Sequence, residues 1–344
     1  MKNILYRIKR KILNIFWSKE KYFSWEENET FMKNVVEVHY PIISDKYFRN
    51  NAPLIISVFN GFERHGGLAD RFRGIISAYK FAKEHKLTFA IYWAEPFVLQ
   101  DYLIPNNYNW IIPKEQLLYS RPGSCPIHIG SFYKRIGIDK YREELFQLNL
   151  LNRLIKKNSS SAQFHLYSNA HFGDKAYSSL FNELFKPSSR LQKLIDINLQ
   201  HMNGGFIAAS FRFVQLLGDF KDECEGITLS DFEREKYISD CVKTVEKLHS
   251  DHLSNKILIT SDSSLFLDEV RSLPYTYIVP GEISHTDGKS MDNSPTFDKE
   301  FLDLLLLSKA KVIYRIHKGK MYYSGFPLTA GMIGNVEVKT IEIK

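Results

Sequence analysis

Four apolar runs, at 206–212, 256–260, 275–279 and 312–316, are each too short for a helix and the right length for a buried strand. Helical spacing fills the gaps between them. Ser230-Asp231-Phe232-Glu233 is a capping box that opens a helix running to about residue 249. Another helix begins after Ser261-Asp262-Ser263-Ser264, and Phe301, Leu304, Leu305 and Ser308 keep the spacing of a third. Strands that alternate with helices in this way predict a parallel, doubly wound sheet, in which the loops after the strands converge on one crevice. Arg212, Asp262, His285 and Ser324 all lie in those loops.

The residue types in these loops suit an anion. Arg212 follows a strand directly, and its planar fork fits a phosphate or diphosphate; a structural ion pair is the other reading. Ser324 precedes Gly325-Phe326-Pro327, where proline fits a first helical turn, so its hydroxyl stands beside helix N-terminal amides as an anion contact or as a simple cap. Asp262, at a strand end, suits a carboxylate that accepts from a base or ribose, or that caps the next helix.

The first half opens in the same manner. Residues 54–59 read as a buried strand, followed by a loop with Glu63, the adjacent Gly66 and Gly67, and Arg71, then a helix through residue 82 and a second strand at 87–93. A strand, glycine loop and helix let backbone amides approach a ligand closely, although a plain tight turn also explains the two glycines. The loop is neither a Walker loop nor a GxGxxG fingerprint. Residues 94–138 are rich in Pro, Asn and aromatics and predict long loops with short strands, a wall that suits sugar rings. A helix at 141–156, a strand at 164–168 and a helix at 188–202 complete this half, and Asn203-Gly204-Gly205 reads as a C-cap and hinge. A chain of 344 residues suits two domains of ~150 each, here 51–203 and 204–344 behind an N-terminal arm and connector at 1–50.

The arm carries Lys2, Arg7, Lys9, Arg10 and Lys11 without any acidic residue, while Leu5, Ile8, Ile12, Ile15 and Phe16 recur at helical spacing. This basic amphipathic pattern either lies on an anionic membrane or packs on its own domain. The formal charge of +7 calls for an anionic partner, but the basic residues concentrate in the arm and no nucleic-acid module is legible. The 3 cysteines, Cys125, Cys224 and Cys241, have neither disulfide-framework nor zinc spacing and point to a reducing, cytoplasmic setting. No apolar run approaches the ~20 residues of a membrane span, and the N-terminus lacks the apolar centre of a signal peptide.

Together these motifs resemble the GT-B fucosyltransferase superfamily, which includes the nodulation, core and protein O-fucosyltransferases and the xyloglucan enzymes. The resemblance spans about 54–335. It rests on Gly66-Gly67-Leu68-Ala69-Asp70-Arg71, on Ser210-Phe211-Arg212 with Asp219, on Thr260-Ser261-Asp262-Ser263, and on Asp303 to Ala310 leading to Tyr323-Ser324-Gly325-Phe326. It implies an α/β, GT-B-like fold with two Rossmann-like domains facing a central cleft. It also implies a donor site in which Arg212 grips the diphosphate, the Ser324 loop holds phosphates and the Asp262 region contacts the nucleoside. Two positions depart from the pattern: Ser210 stands where relatives have the histidine of His-x-Arg, and Asp70 where asparagine is common.

The implied activity is inverting, metal-independent transfer of fucose from GDP-fucose to a glycan hydroxyl, with no cofactor besides the donor substrate. No Asp-x-Asp pair is present. The donor-binding set is Gly66, Gly67, Arg71, Ser210, Arg212, Ser261, Asp262, His285, Ser324, Gly325 and Phe326. Glu63 is the first candidate for the base on the acceptor hydroxyl and Asp219 the second, a solvated loop carboxylate being the other reading of each. The acceptor is expected to be a glycan, lipid-linked if the arm binds the inner face of a membrane. The rival expectation is a non-catalytic nucleotide-sugar or glycan-binding protein on the same fold.

Overall fold

The computed structural model describes residues 18–43, 53–171, 176–202, 205–220, 227–253, 256–286 and 297–344. The arm at 1–17, Cys224 and most of the proposed hinge lie outside them. In chain order the strands are β1 (Leu54–Phe59), β2 (Thr88–Trp93), β3 (Leu103–Pro105), β4 (Ser124–Ile129), β5 (Gln163–Ser168), β6 (Phe185–Pro187), β7 (Phe206–Phe211), β8 (Lys256–Ser261), β9 (Thr276–Tyr277), β10 (Ile313–Lys318) and β11 (Val338–Ile343). The helices of eight residues or more are α1 (Lys19–Phe31), α2 (Leu68–Glu84), α3 (Lys140–Lys157), α4 (Tyr177–Leu184), α5 (Ser189–His201), α6 (Asp231–Asp251), α7 (Ser264–Arg271), α8 (Asp298–Leu307) and α9 (Phe326–Gly334).

The chain divides into two compact units. One comprises 1–66, 70–98 and 107–176, the other 67–69, 99–106 and 177–344. The second unit thus takes in α5, which the sequence boundary at 203 assigns to the first half.

The first unit carries a parallel sheet in the order β2-β1-β5-β4. Five of the six residues of β1 are buried, as a strand covered on both faces requires. Because β2 lies to one side of β1 and β5 to the other, the winding direction reverses at β1, and the loop after β1 leaves from a topological switch point. The described part of the expected connector, 18–43, is instead largely helical. α1 runs into a π-helical turn, Met32–Val36, closed by the amide of Glu37 on the carbonyl of Met32. Phe31, Val35, Val36 and Tyr40 are buried against Ile56, Val58 and Tyr167 of the sheet, so the segment supplies part of the unit's core.

The second unit carries a five-stranded parallel sheet in the order β11-β10-β7-β8-β9. All six residues of β7 are buried. Strands β10 and β8 flank it, so the winding reverses there too, and the loops after β7 and β10 emerge side by side at the same sheet edge. α6 begins with the expected capping box, and Pro327 lies in the first turn of α9. Two expectations change at the edges. The strand predicted at 275–279 pairs only over Thr276–Tyr277. β11 was not expected at all, because its residues are part-exposed and its sequence shows no apolar run.

Candidate functional site

The loop that follows β7 folds back on the end of β8. The carboxylate of Asp262 accepts the backbone amides of Phe213 at 2.8 Å and Val214 at 2.7 Å, and Arg212 Nη1 lies 3.2 Å from Asp262 Oδ2. Burial pushes the Asp262 carboxyl above the usual carboxylate range against the opposing pull of Arg212 and the two amides. Val214 holds a left-handed φ of 59°, a conformation a β-branched residue avoids unless its surroundings fix it. Asp262 therefore shapes the loop and aims the arginine.

Arg212 lies 5.0 Å over the ring of Phe220, and Phe220 meets His285 edge-on at 6.3 Å. A Cβ on Gly67 would come within 3.2 Å of the His285 imidazole, so a glycine is what lets backbone and ring approach. His285 is held in place by its neighbour Thr286, which donates to buried Glu300 at 2.7 Å. Asp262, Arg212, Phe220, His285 and Gly67 thus form one continuous run of contacts within the second unit. Phe220 was not singled out from the sequence, because an aromatic beyond a turn carries no periodic signal.

The loop after β10 lies beside this run, since the amide of Tyr322 donates to the carbonyl of Arg212 at 3.1 Å. Ser324 Oγ accepts the amide of Phe326 at 3.2 Å, and Gly325 is the N-cap of α9. The Ser324 hydroxyl proton has no acceptor among the described residues, so it can be donated to an anion at this helix start. Ser210 is buried in β7, in register with Thr260 and Arg315. Ser261 Oγ accepts the amide of Ser263 at 3.1 Å. Asp219, the second candidate for a base, is used as a cap: its Oδ2 accepts Ser263 Oγ, Ser264 Oγ and the amide of Leu265 at the start of α7, at 2.8, 3.0 and 2.9 Å.

In the first unit, the loop after β1 is tied by its own side chains. His65 Nε2 accepts the amides of Asn60 and Gly61 at 3.2 and 3.3 Å. Burial, then the charges of Arg71 and His128, lower this histidine to about 3, so it remains a neutral acceptor. Arg71, expected at the donor, is buried here instead. It donates to the carbonyls of Gly66 at 2.9 Å and Glu95 at 2.5 Å and lies 4.9 Å over Trp93. It holds the turn at Gly66, whose φ of 75° favours glycine. Glu63 projects from this loop with its Oε2 3.0 Å from His128 Nδ1. Neither His128 nor its second neighbour Glu27, 3.8 Å from Nε2, was expected at the site. Among the described residues no group of three or more His, Cys, Asp or Glu is arranged to hold a metal ion.

No family model matches the chain, and no curated protein matches it. Solved structures do. The NodZ alpha-1,6-fucosyltransferase co-crystallized with GDP is 17% identical and aligns over 82% of this chain and 92% of its own, with a TM-score of 0.52. The fucosyltransferase NodZ from Bradyrhizobium is 16% identical over 85% of this chain and 95% of its own, TM-score 0.52. POFUT1 in complex with GDP is 10% identical over 84% of this chain and 99% of its own, TM-score 0.51. The chain shares the α/β fold of these GT-B fucosyltransferases.

Proposed function

We propose that this protein is a glycosyltransferase that moves fucose from GDP-fucose to a glycan hydroxyl with inversion at the anomeric carbon. The observation that carries the reading is Arg212: an arginine at the carboxyl end of the central strand of a parallel sheet, aimed by Asp262 and backed by Phe220. Two of the proteins whose fold it shares were crystallized with GDP, a diphosphate of the kind this arginine suits.

As the bond between the anomeric carbon and the β-phosphate oxygen breaks, negative charge grows on the departing diphosphate. Arg212, the Ser324 hydroxyl and the N-terminal end of α9 would stabilise that charge more than the ground state, which is how binding becomes rate. Glu63 is the proposed base for the acceptor hydroxyl. The basic, amphipathic pattern of residues 1–17 supports lipid-linked glycans at an anionic membrane face as the acceptor. Ser210, where the resembled pattern has histidine, keeps a second reading in play, a nucleotide-sugar-binding protein without turnover.

Calorimetry with GDP and a GDP-release assay on GDP-fucose with a panel of oligosaccharide acceptors test the proposal. Arg212→Ala is expected to weaken GDP binding and to lower kcat/KM by roughly 10²–10³-fold. Full turnover in that variant would remove the arginine as the diphosphate anchor. Saturable binding with no turnover on any acceptor would select the binding protein.

A further inference from the structure

The loop after β1 presents Glu63 from the switch point of the first sheet, and the side chains around it form a clamp. His128, on β4, reaches Glu63 Oε2 with Nδ1 at 3.0 Å and faces Glu27 Oε2 with Nε2 at 3.8 Å. Glu27, on α1, is paired on its other oxygen with Arg135. The ring of Phe31 lies 5.4 Å from the imidazole. A Cβ on Gly130 would fall 2.9 Å from His128 Nε2 and 3.0 Å from Glu27 Oε2, so the imidazole and second carboxylate meet over a backbone that leaves no room for a side chain. Within this clamp Glu63 commits one oxygen to His128. Its other oxygen has no hydrogen-bond partner among the described residues.

We propose that His128 is a positioning residue for Glu63: held between Glu27 and Glu63, it fixes the glutamate with one oxygen occupied and the other open to take the proton of an acceptor hydroxyl. This inference rests on the reading of Glu63 as the base. In the step it serves, the acceptor oxygen bonds to the anomeric carbon and the bond to the β-phosphate oxygen breaks, its electron pair leaving with GDP. The hydroxyl proton moves to Glu63, and His128 keeps its own proton throughout.

Burial opposes a charge on His128, but hydrogen bonds to Glu27 and Glu63 and their charges prevail and raise it to about 9. The other titratable groups that face it or its partners are His65 from the β1–α2 loop, which feels its charge, Tyr167 on the paired strand β5, which feels Glu63, and Arg135 behind Glu27. The clamp is therefore charged at neutral pH and loses that charge as pH rises through about 9.

Two measurements on the full chain test this. The first is GDP release from GDP-fucose with an oligosaccharide acceptor chosen by panel screening, as a function of pH. Glu63→Gln is expected to lower kcat by roughly 10²-fold or more. His128→Phe is expected to lower it by up to about 10²-fold with GDP affinity unchanged, while His128→Gln, which restores a neutral donor, recovers part of the loss and lacks the alkaline limb near 9. The second is an NMR titration of the imidazoles in protein labelled with 13C-histidine, which needs no acceptor. The His128 signal, assigned by its loss in His128→Gln, is expected to titrate near 9 and to move down in Glu63→Gln. An unaffected His128→Phe beside a slow Glu63→Gln would overturn the inference and leave the base reading standing. An unaffected Glu63→Gln would remove both, and an unchanged His128 titration in that variant would show that the clamp does not form.

Discussion

Arginine 71 and arginine 212 look alike in the sequence, each beside a glycine-bearing loop at the end of a predicted strand, yet their surroundings differ. Arg71 donates to two backbone carbonyls and lays its face on Trp93. Replacing it with Met strands those carbonyls in a buried site, a loss of about 2–4 kcal/mol by the cost of unsatisfied groups. Chemical denaturation of the variant is expected to show that loss, and calorimetry to show GDP affinity unchanged in the folded protein; weaker GDP binding at full stability would restore Arg71 to the donor site. His128 adds a pH signature. Its folded value of about 9 lies above the 6.5 usual for a histidine, so the stability it contributes is complete below about 6.5 and is lost as pH rises through about 9. The midpoint of urea unfolding should fall across that window in the native protein and stay flatter in His128→Gln.

Elements were legible where burial wrote itself into the local pattern. β1 and β7, covered on both faces, appear as unbroken apolar runs, and their observed limits match the expected ones within a residue. β11 is an edge strand with part-exposed residues and leaves no such trace. α1 reads as polar and aromatic because it buries only Glu20, Tyr22 and Phe31 of its own residues, and the apolar contribution of this segment comes largely from the π-turn and Tyr40 beyond it. The close approach of α2 to β5 is a contact of this scale that can be tested. A Cβ on Gly74 would lie 2.0 Å from the carbonyl oxygen of Ser168, so Gly74→Ala must push helix and strand apart. Overpacking of this kind costs about 1–3 kcal/mol, and thermal unfolding is expected to show it. An unchanged Tm would mean that the helix does not press on the strand end.

At the scale of the whole molecule, the two sheets repeat one plan: a central strand where the winding reverses, with candidate residues in the loop that leaves it. If the second unit holds GDP through Arg212, GDP at a hundredfold excess over its Kd should stabilise the protein by about 2.7 kcal/mol, an effect absent in Arg212→Ala. No helix among the described residues is long and apolar enough to cross a membrane. The arm at 1–17 is tested separately. The intact chain is expected to float with vesicles containing anionic lipid more than a chain lacking residues 1–17, and equal flotation would dismiss the arm as an anchor.

The residues by themselves determined where the buried strands run, that they alternate with helices, and hence that Arg212, Asp262 and Ser324 leave strands at one end of a parallel sheet, because burial on both faces imposes an apolar run that needs no partner to be recognised. Only the tertiary structure decided what each of these side chains touches. It set Asp262 to hold its own loop, Phe220 under Arg212, Asp219 on a helix start, and His128 between two glutamates from distant segments. Such pairings join residues far apart in the chain. They are fixed by strand order and register, which no local pattern of side chains records.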